Sequence, residues 1–150
     1  MIKDMESAMN IIKAILYFGC RTKQRLYYTK LQLLLFYYTK EYFQSFGEKI
    51  LKQDFPYDAY IPRLEGLDEL LGILNLKGIV KIRNTEYGKC VETLVRLEES
   101  GYENKELVIL SRVMENFDDL TPREIVQKYF HPALQQGSIR TATKTILNFT

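Results

Sequence analysis

The run Tyr28-Thr29-Lys30-Leu31-Gln32-Leu33-Leu34-Leu35-Phe36-Tyr37-Tyr38 constrains this chain more than any other. It joins a helix start signal to an apolar stripe and an aromatic load larger than one packing face can use. The Thr29 hydroxyl is placed to accept from the Gln32 amide while the Gln32 side chain reaches back to the Thr29 amide, so a capping box is expected there. Leu31, Leu34, Leu35, Tyr38 and Tyr42 follow the spacing i, i+3, i+4, i+7, i+11 and form one stripe that must be buried against other helices. Gly47 suits a left-handed stop. The same logic recurs in Leu120-Thr121-Pro122-Arg123-Glu124-Ile125, where Thr121 is the cap, Pro122 opens the helix, Glu124 closes the box, and Leu120 and Ile125 are spaced as a hydrophobic staple.

Helical periodicity also marks residues from about Met5 to Phe18, ended by Gly19, and from Leu67 to Leu74. Two closing helices follow, from Asn104 to Phe117 and from Pro122 to Phe130. Between Gly47 and Pro62 the chain alternates poorly and contains Pro56 and Pro62, the pattern of a loop. Ile79 to Arg83 and Cys90 to Leu97, joined by a turn over Asn84 to Gly88, read as an antiparallel hairpin with a connection longer than the favoured two residues. From about residue 135 the run Gln135-Gln136-Gly137-Ser138-Ile139-Arg140-Thr141 reads as a short polar tail, with Ile146, Leu147 and Phe149 available to dock at its end. The expected architecture is one mainly helical α+β domain over residues 1–150, a compact helical bundle with a small antiparallel β-hairpin.

At 150 residues and 46% hydrophobic content the chain can bury a single core without covalent staples. Cys20 and Cys90 lie far apart and lack a pair motif, so both are expected to pack as small hydrophobes in a reducing compartment, with no disulfide. The longest apolar run, Leu33 to Tyr38, is far below the roughly 20 residues of a membrane span, and the amino-terminal stretch mixes charges of both signs. A cytoplasmic protein with no membrane association is expected.

The net charge of +2 is unevenly spread: residues 1–52 carry nine Lys and Arg against four Asp and Glu, whereas residues 53–80 carry two against five. Arg21, Lys23, Arg25 and Lys30 cluster between the first two helices with Tyr27 and Tyr28 interleaved. Such a basic patch can contact phosphates or stack on bases. The plainer alternative is a solvated interhelical loop with favourable charge at a helix carboxyl end.

Chemistry is hard to assemble from these residues. With His131 as its single histidine and two distant cysteines, the chain lacks the usual His-based or Cys-rich metal sets. His131 precedes Pro132 just after an expected helix and reads as a helix-end residue rather than a general base. The eight glycines are dispersed and match neither a phosphate-binding loop nor a dinucleotide fingerprint. Asp68-Glu69, Glu98-Glu99 and Asp118-Asp119 read as solvent-facing charge or as partners of helix dipoles. No catalytic residue, metal or cofactor is expected.

That leaves binding. Phe36, Tyr38 and Phe43 are expected to be buried by a second layer around a central helix. Tyr27, Tyr57 and Tyr60 fall in loops where tyrosine offers large contact area at little entropic cost, and Arg63 stands beside them as a further anchor type, so these four are the candidate partner contacts.

The run Tyr28-Thr29-Lys30-Leu31-Gln32-x-Leu34-Leu35-Phe36-Tyr37, then Phe43-x-x-Phe46-Gly47, then the aromatic loop Tyr57-Asp58-Ala59-Tyr60-Ile61-Pro62, resembles the Panacea or SocA-like antitoxin domain. Glu106-Leu107-Val108-Ile109-Leu110-x-x-Val113-Met114-x-x-Phe117 and Leu120-Thr121-Pro122-Arg123-Glu124-Ile125-Val126 resemble the closing helix pair of that domain. The pieces run in the family's order from Tyr28 to Ala133. One departure is that the family loop usually carries a Gly-Pro pair after its aromatic residue, whereas here Pro62 follows Ile61. The resemblance implies the antitoxin of a type II toxin-antitoxin pair, without enzymatic activity. It would bind a toxin encoded beside it, as a hetero-oligomer, and block that toxin's activity. The best single expectation for the toxin is a small alarmone synthetase or another translation- or growth-inhibiting protein. Specific DNA binding by this chain is not expected. The alternative class is a phage- or prophage-encoded nucleic-acid-associated regulatory or adaptor protein using the Arg21 to Lys30 patch.

Overall fold

The helix that carries the aromatic run is enclosed on every side. The computed structural model describes residues 4–57, 61–137, 139–143 and 146–149. In it α2 spans Tyr28–Phe46, and every residue from Lys30 to Thr39 is buried. The stripe residues Leu31, Leu34, Leu35, Tyr38 and Tyr42 are all in the core. So are Leu33, Phe36 and Tyr37 on the other flanks, which is what a central helix requires. Phe36 is a hub, edge-on to Phe55 at 5.3 Å and to Phe130 at 5.6 Å. The buried Thr39 hydroxyl is satisfied by donating to the Leu35 carbonyl at 2.9 Å. Gly47 ends the helix in the left-handed region, with φ +76°.

Around α2 pack α1 (Met5–Arg21), α3 (Leu67–Leu76) and α4 (Asn104–Phe117). They contribute Ile11, Ile15 and Phe18, then Leu67 and Leu71, then Ile109 and Val113 to one continuous cluster. The Asp4 carboxylate caps α1 by accepting from the Ser7 amide at 2.7 Å. Gly19 does not stop α1, contrary to the reading above. Its missing side chain admits the hairpin instead, since a Cβ there would stand 2.2 Å from the Thr93 methyl.

That hairpin pairs β1 (Val80–Thr85) with β2 (Gly88–Thr93) in antiparallel register, Val80 opposite Thr93 and Thr85 opposite Gly88. The connection is therefore Glu86-Tyr87 alone, shorter than the expected turn and of the favoured length. The Thr85 hydroxyl closes it, accepting from the Tyr87 amide at 3.1 Å and donating to the Gly88 carbonyl at 2.8 Å.

The expected helix over Pro122 to Phe130 departs from simple form. After one α turn, α5 (Pro122–Ile125), the chain widens into a π turn over Val126–Phe130 and continues as α6 (His131–Gln136). The cause is Pro132: it has no N–H for the Lys128 carbonyl and its ring would strike that carbonyl, so the helix opens by one residue rather than breaking. His131, read above as lying beyond the helix, is inside it.

The tail expected from about residue 135 is also corrected. Gly137, at φ +82°, reverses the chain, and β3 (Ile139–Thr143) pairs antiparallel with β4 (Ile146–Phe149) as a second hairpin. Ile139 is buried in the main core, and β4 lies beside α2. No helix among the described residues is long and apolar enough to cross a membrane.

Candidate functional site

The first turn of α2, the aromatic loop and the closing helix meet at one place. Thr29 from the first turn of α2, Ile61 from the aromatic loop, and Pro122, Arg123, Val126 and His131 from the closing helix line an apolar groove of about 370 Å³. Ile61 is buried, Pro122 and Val126 are half-buried, and Thr29, Arg123 and His131 stand exposed at the rim. An apolar floor with a few polar groups at its edge suits recognition of a side chain or a short segment of a partner.

Local chemistry on each wall builds this groove. At α5 the Glu124 amide donates to the Thr121 hydroxyl at 3.1 Å and the Thr121 amide donates to the Glu124 carboxylate at 3.0 Å, the expected capping box. The bond from the Thr121 amide holds the Glu124 carboxyl below the usual glutamate range. The π turn then directs Phe130 wholly into the core, where Tyr57 meets it at 5.4 Å.

The loop wall is tied to α2. Gln32 has no exposed surface. Its side-chain carbonyl accepts from the Leu64 amide at 2.7 Å, and its amide donates to the Tyr28 hydroxyl at 2.8 Å. Tyr28 in turn donates to the Asp68 carboxylate of α3. Burial, and then the bond to Asp68, push the Tyr28 hydroxyl up to about 12. Within the loop the Arg63 amide donates to the Pro56 carbonyl at 2.9 Å, and Tyr57 pairs with Pro62 as an isolated bridge. The Thr29–Gln32 capping box is therefore absent. Tyr27 occupies the cap position, and Gln32 is spent on the loop.

The candidate partner residues separate. Tyr57 is half-buried against Phe130, Arg63 is exposed, and Tyr60 lies outside the described residues. Tyr27 turns the other way, with its backbone bridged to Cys90 of β2.

The basic patch separates further. Lys30 is buried, and its ammonium donates to the Asp118 carbonyl. Its pKa is lowered by loss of solvent, against the pull of Asp118. Arg21 stands 3.6 Å from Glu99 and 4.0 Å over the Tyr17 ring. Only Lys23 and Arg25 of the four remain exposed. Lys30 departs from the expected patch because of its position: it precedes Leu33 and Leu34 by three and four residues, which sets it on the buried side of α2. Asp118, which also accepts from the Thr22 hydroxyl at 2.7 Å and the Lys23 amide at 3.2 Å, carries no such local signal.

Both cysteines are free, and Cys90 is buried as expected. Cys20 is exposed instead, its thiol 3.6 Å from the Thr93 hydroxyl. Among the described residues no group of His, Cys, Asp and Glu is placed to hold a metal ion. Comparison with protein-family models, curated proteins and solved structures finds no match for this chain.

Proposed function

We propose that this chain is a non-catalytic binding protein that acts in the cytoplasm as the antitoxin of a type II pair, using the groove between α2, the aromatic loop and α5 as its docking surface. The observation that carries this reading is the convergence of Thr29, Ile61 and Pro122–Val126 on one apolar groove. Each lies within one of the segments that resemble the Panacea or SocA-like antitoxin domain, and they lie far apart in sequence. A half-buried Val126 and Pro122 flanked by Arg123 supply the apolar anchor and charged rim from which protein interfaces are commonly built. Neutralisation would be steric: the toxin, a small alarmone synthetase or another growth-inhibiting protein, is held with its substrate site covered.

The test is co-expression with the product of the neighbouring reading frame, scored by growth rescue and by calorimetry of the purified pair. Arg123→Ala should weaken the complex by about 1–3 kcal/mol with an unchanged melting temperature, and Val126→Glu should weaken it at least as much with some loss of stability, because Val126 packs partly against the core. A neighbour that is harmless, or that forms no complex, defeats the antitoxin reading. A complex indifferent to both variants moves the interface elsewhere.

A further inference from the structure

The loop between α1 and α2 and the β1–β2 hairpin form the walls of an open cleft of about 710 Å³. Its walls carry Gln24 and Arg25 from the loop and Arg83, Asn84 and Glu92 from the hairpin. The walls are tied together by the Val91 amide, which donates to the Leu26 carbonyl at 2.8 Å, and by the Tyr27–Cys90 bridge, so the cleft is formed by paired backbone. Arg25 is exposed and makes no ion pair with any described residue. Arg83 stands 3.2 Å from Glu92, both about half exposed, and Lys81 lies directly opposite Glu92 in the register. Among the residues that line the cleft, two cations, Arg25 and Arg83, stand against one carboxylate, Glu92, so the lining is net positive. At the hairpin tip, next to the wall at Thr85, Tyr87 is 79% exposed.

We propose that this cleft and hairpin tip bind a ligand carrying phosphate and an unpaired base, as presented by single-stranded nucleic acid. Arg25 and Arg83 hold the phosphates from facing walls, and Tyr87 gives a base a ring on which to stack. Stacking of this kind needs an unpaired base and tolerates any base, because each has a π face. The volume matches a small-ligand site, and the arrangement reads no sequence. It is independent of the apolar groove and of any toxin bound there.

The test is fluorescence anisotropy of the full chain with a labelled single-stranded RNA of about 12 nucleotides. With two phosphates neutralised, affinity should fall about sevenfold between about 50 and about 200 mM salt, from a single-strand slope of about −0.7 per contact. The Arg25→Ala/Arg83→Ala pair should abolish most of that salt dependence, and Tyr87→Ala should weaken binding about tenfold at every salt concentration. All three side chains are exposed, so thermal unfolding should not move, and Arg123→Ala in the other groove should leave RNA affinity unchanged. Saturable binding that survives the double arginine variant overturns the site. So does no binding at the lower salt. Displacement by inorganic pyrophosphate as effective as displacement by unlabelled RNA would mean that phosphate alone is recognised, and would overturn the part assigned to Tyr87.

Discussion

At the start of α5 the side chains of Thr121 and Glu124 exchange hydrogen bonds with each other's backbone amides, whereas at the start of α2 the same spacing of Thr29 and Gln32 produces neither bond. The two places differ in burial. Thr121 is exposed and Glu124 partly so, and the Lys128 ammonium, 3.7 Å from the second carboxylate oxygen, leaves the bond from the Thr121 amide in place. Gln32 is enclosed, beside the amide of Leu64, which would otherwise be buried without an acceptor. An N-cap is worth about 1 kcal/mol, while a buried unpaired amide costs about 1–3 kcal/mol, so the tertiary bond takes the side chain. A neutral amide also suits the task, because it accepts from Leu64 and donates to Tyr28 at once. Capping signals are therefore trustworthy where the side chain that closes the box meets water, as at Glu124, and are overruled where it is enclosed, as at Gln32.

This comparison can be broken. Gln32→Ala should have the largest effect, a loss of about 3 kcal/mol in chemical denaturation, since it strands the Leu64 amide and leaves a cavity in the core. A loss near the cap value would return Gln32 to the helix start. Tyr28→Phe removes the middle of the same chain of bonds, from Gln32 through Tyr28 to Asp68, and should cost about 1.5 kcal/mol. If Tyr28→Phe proves neutral, the network ends at Gln32 and Asp68 contributes nothing to holding the loop.

The same division between exposed and enclosed positions explains how much was legible beforehand. The stripe Leu31, Leu34, Leu35, Tyr38 and Tyr42, the bounds of α4 and the box at Thr121 follow from period and local chemistry, and the mainly helical fold with a β-hairpin follows from them. Lys30 and Gln32 were misassigned because their partners, Asp118 and Leu64, are 88 and 32 residues away. The second hairpin was hidden because Gln135 to Ser138 set a polar impression just before the buried Ile139. Pro132 was visible, but its consequence, a widened turn that sends Phe130 inward, depends on α6 being worth continuing. The groove had no local signature at all, because it joins Thr29, Ile61 and Val126 across three segments.

Next in size is Thr121→Ala, expected to cost about 1 kcal/mol at neutral pH. Its pH dependence sharpens the comparison. Glu124 is held below its ordinary pKa by the Thr121 amide, so as pH falls the unfolded chain takes up the proton first. The stabilisation from this half of the box is whole above the ordinary glutamate range and is lost as pH drops through the lowered pKa of the folded state. Glu124→Gln should therefore flatten the acid limb of the stability curve. An acid limb identical to that of the parent protein would mean the carboxylate bond is not maintained in solution.

The smallest effect belongs to Thr29→Ala. Thr29 lies in the first turn of α2 rather than at its cap, is exposed at the groove rim, and has no capping bond to lose. The change should stay within about 0.5 kcal/mol, as for an ordinary surface position. A true Thr29–Gln32 box would instead give about 1 kcal/mol, equal to the Thr121 value. Measured side by side in the same denaturant series, equal losses at Thr29 and Thr121 would erase the distinction between the two helix starts. A near-zero value at Thr29 together with a large one at Gln32 would isolate the Leu64 bond as the reason. Thr29→Ala then has a second use: with stability unchanged, any loss of partner affinity reads the groove directly.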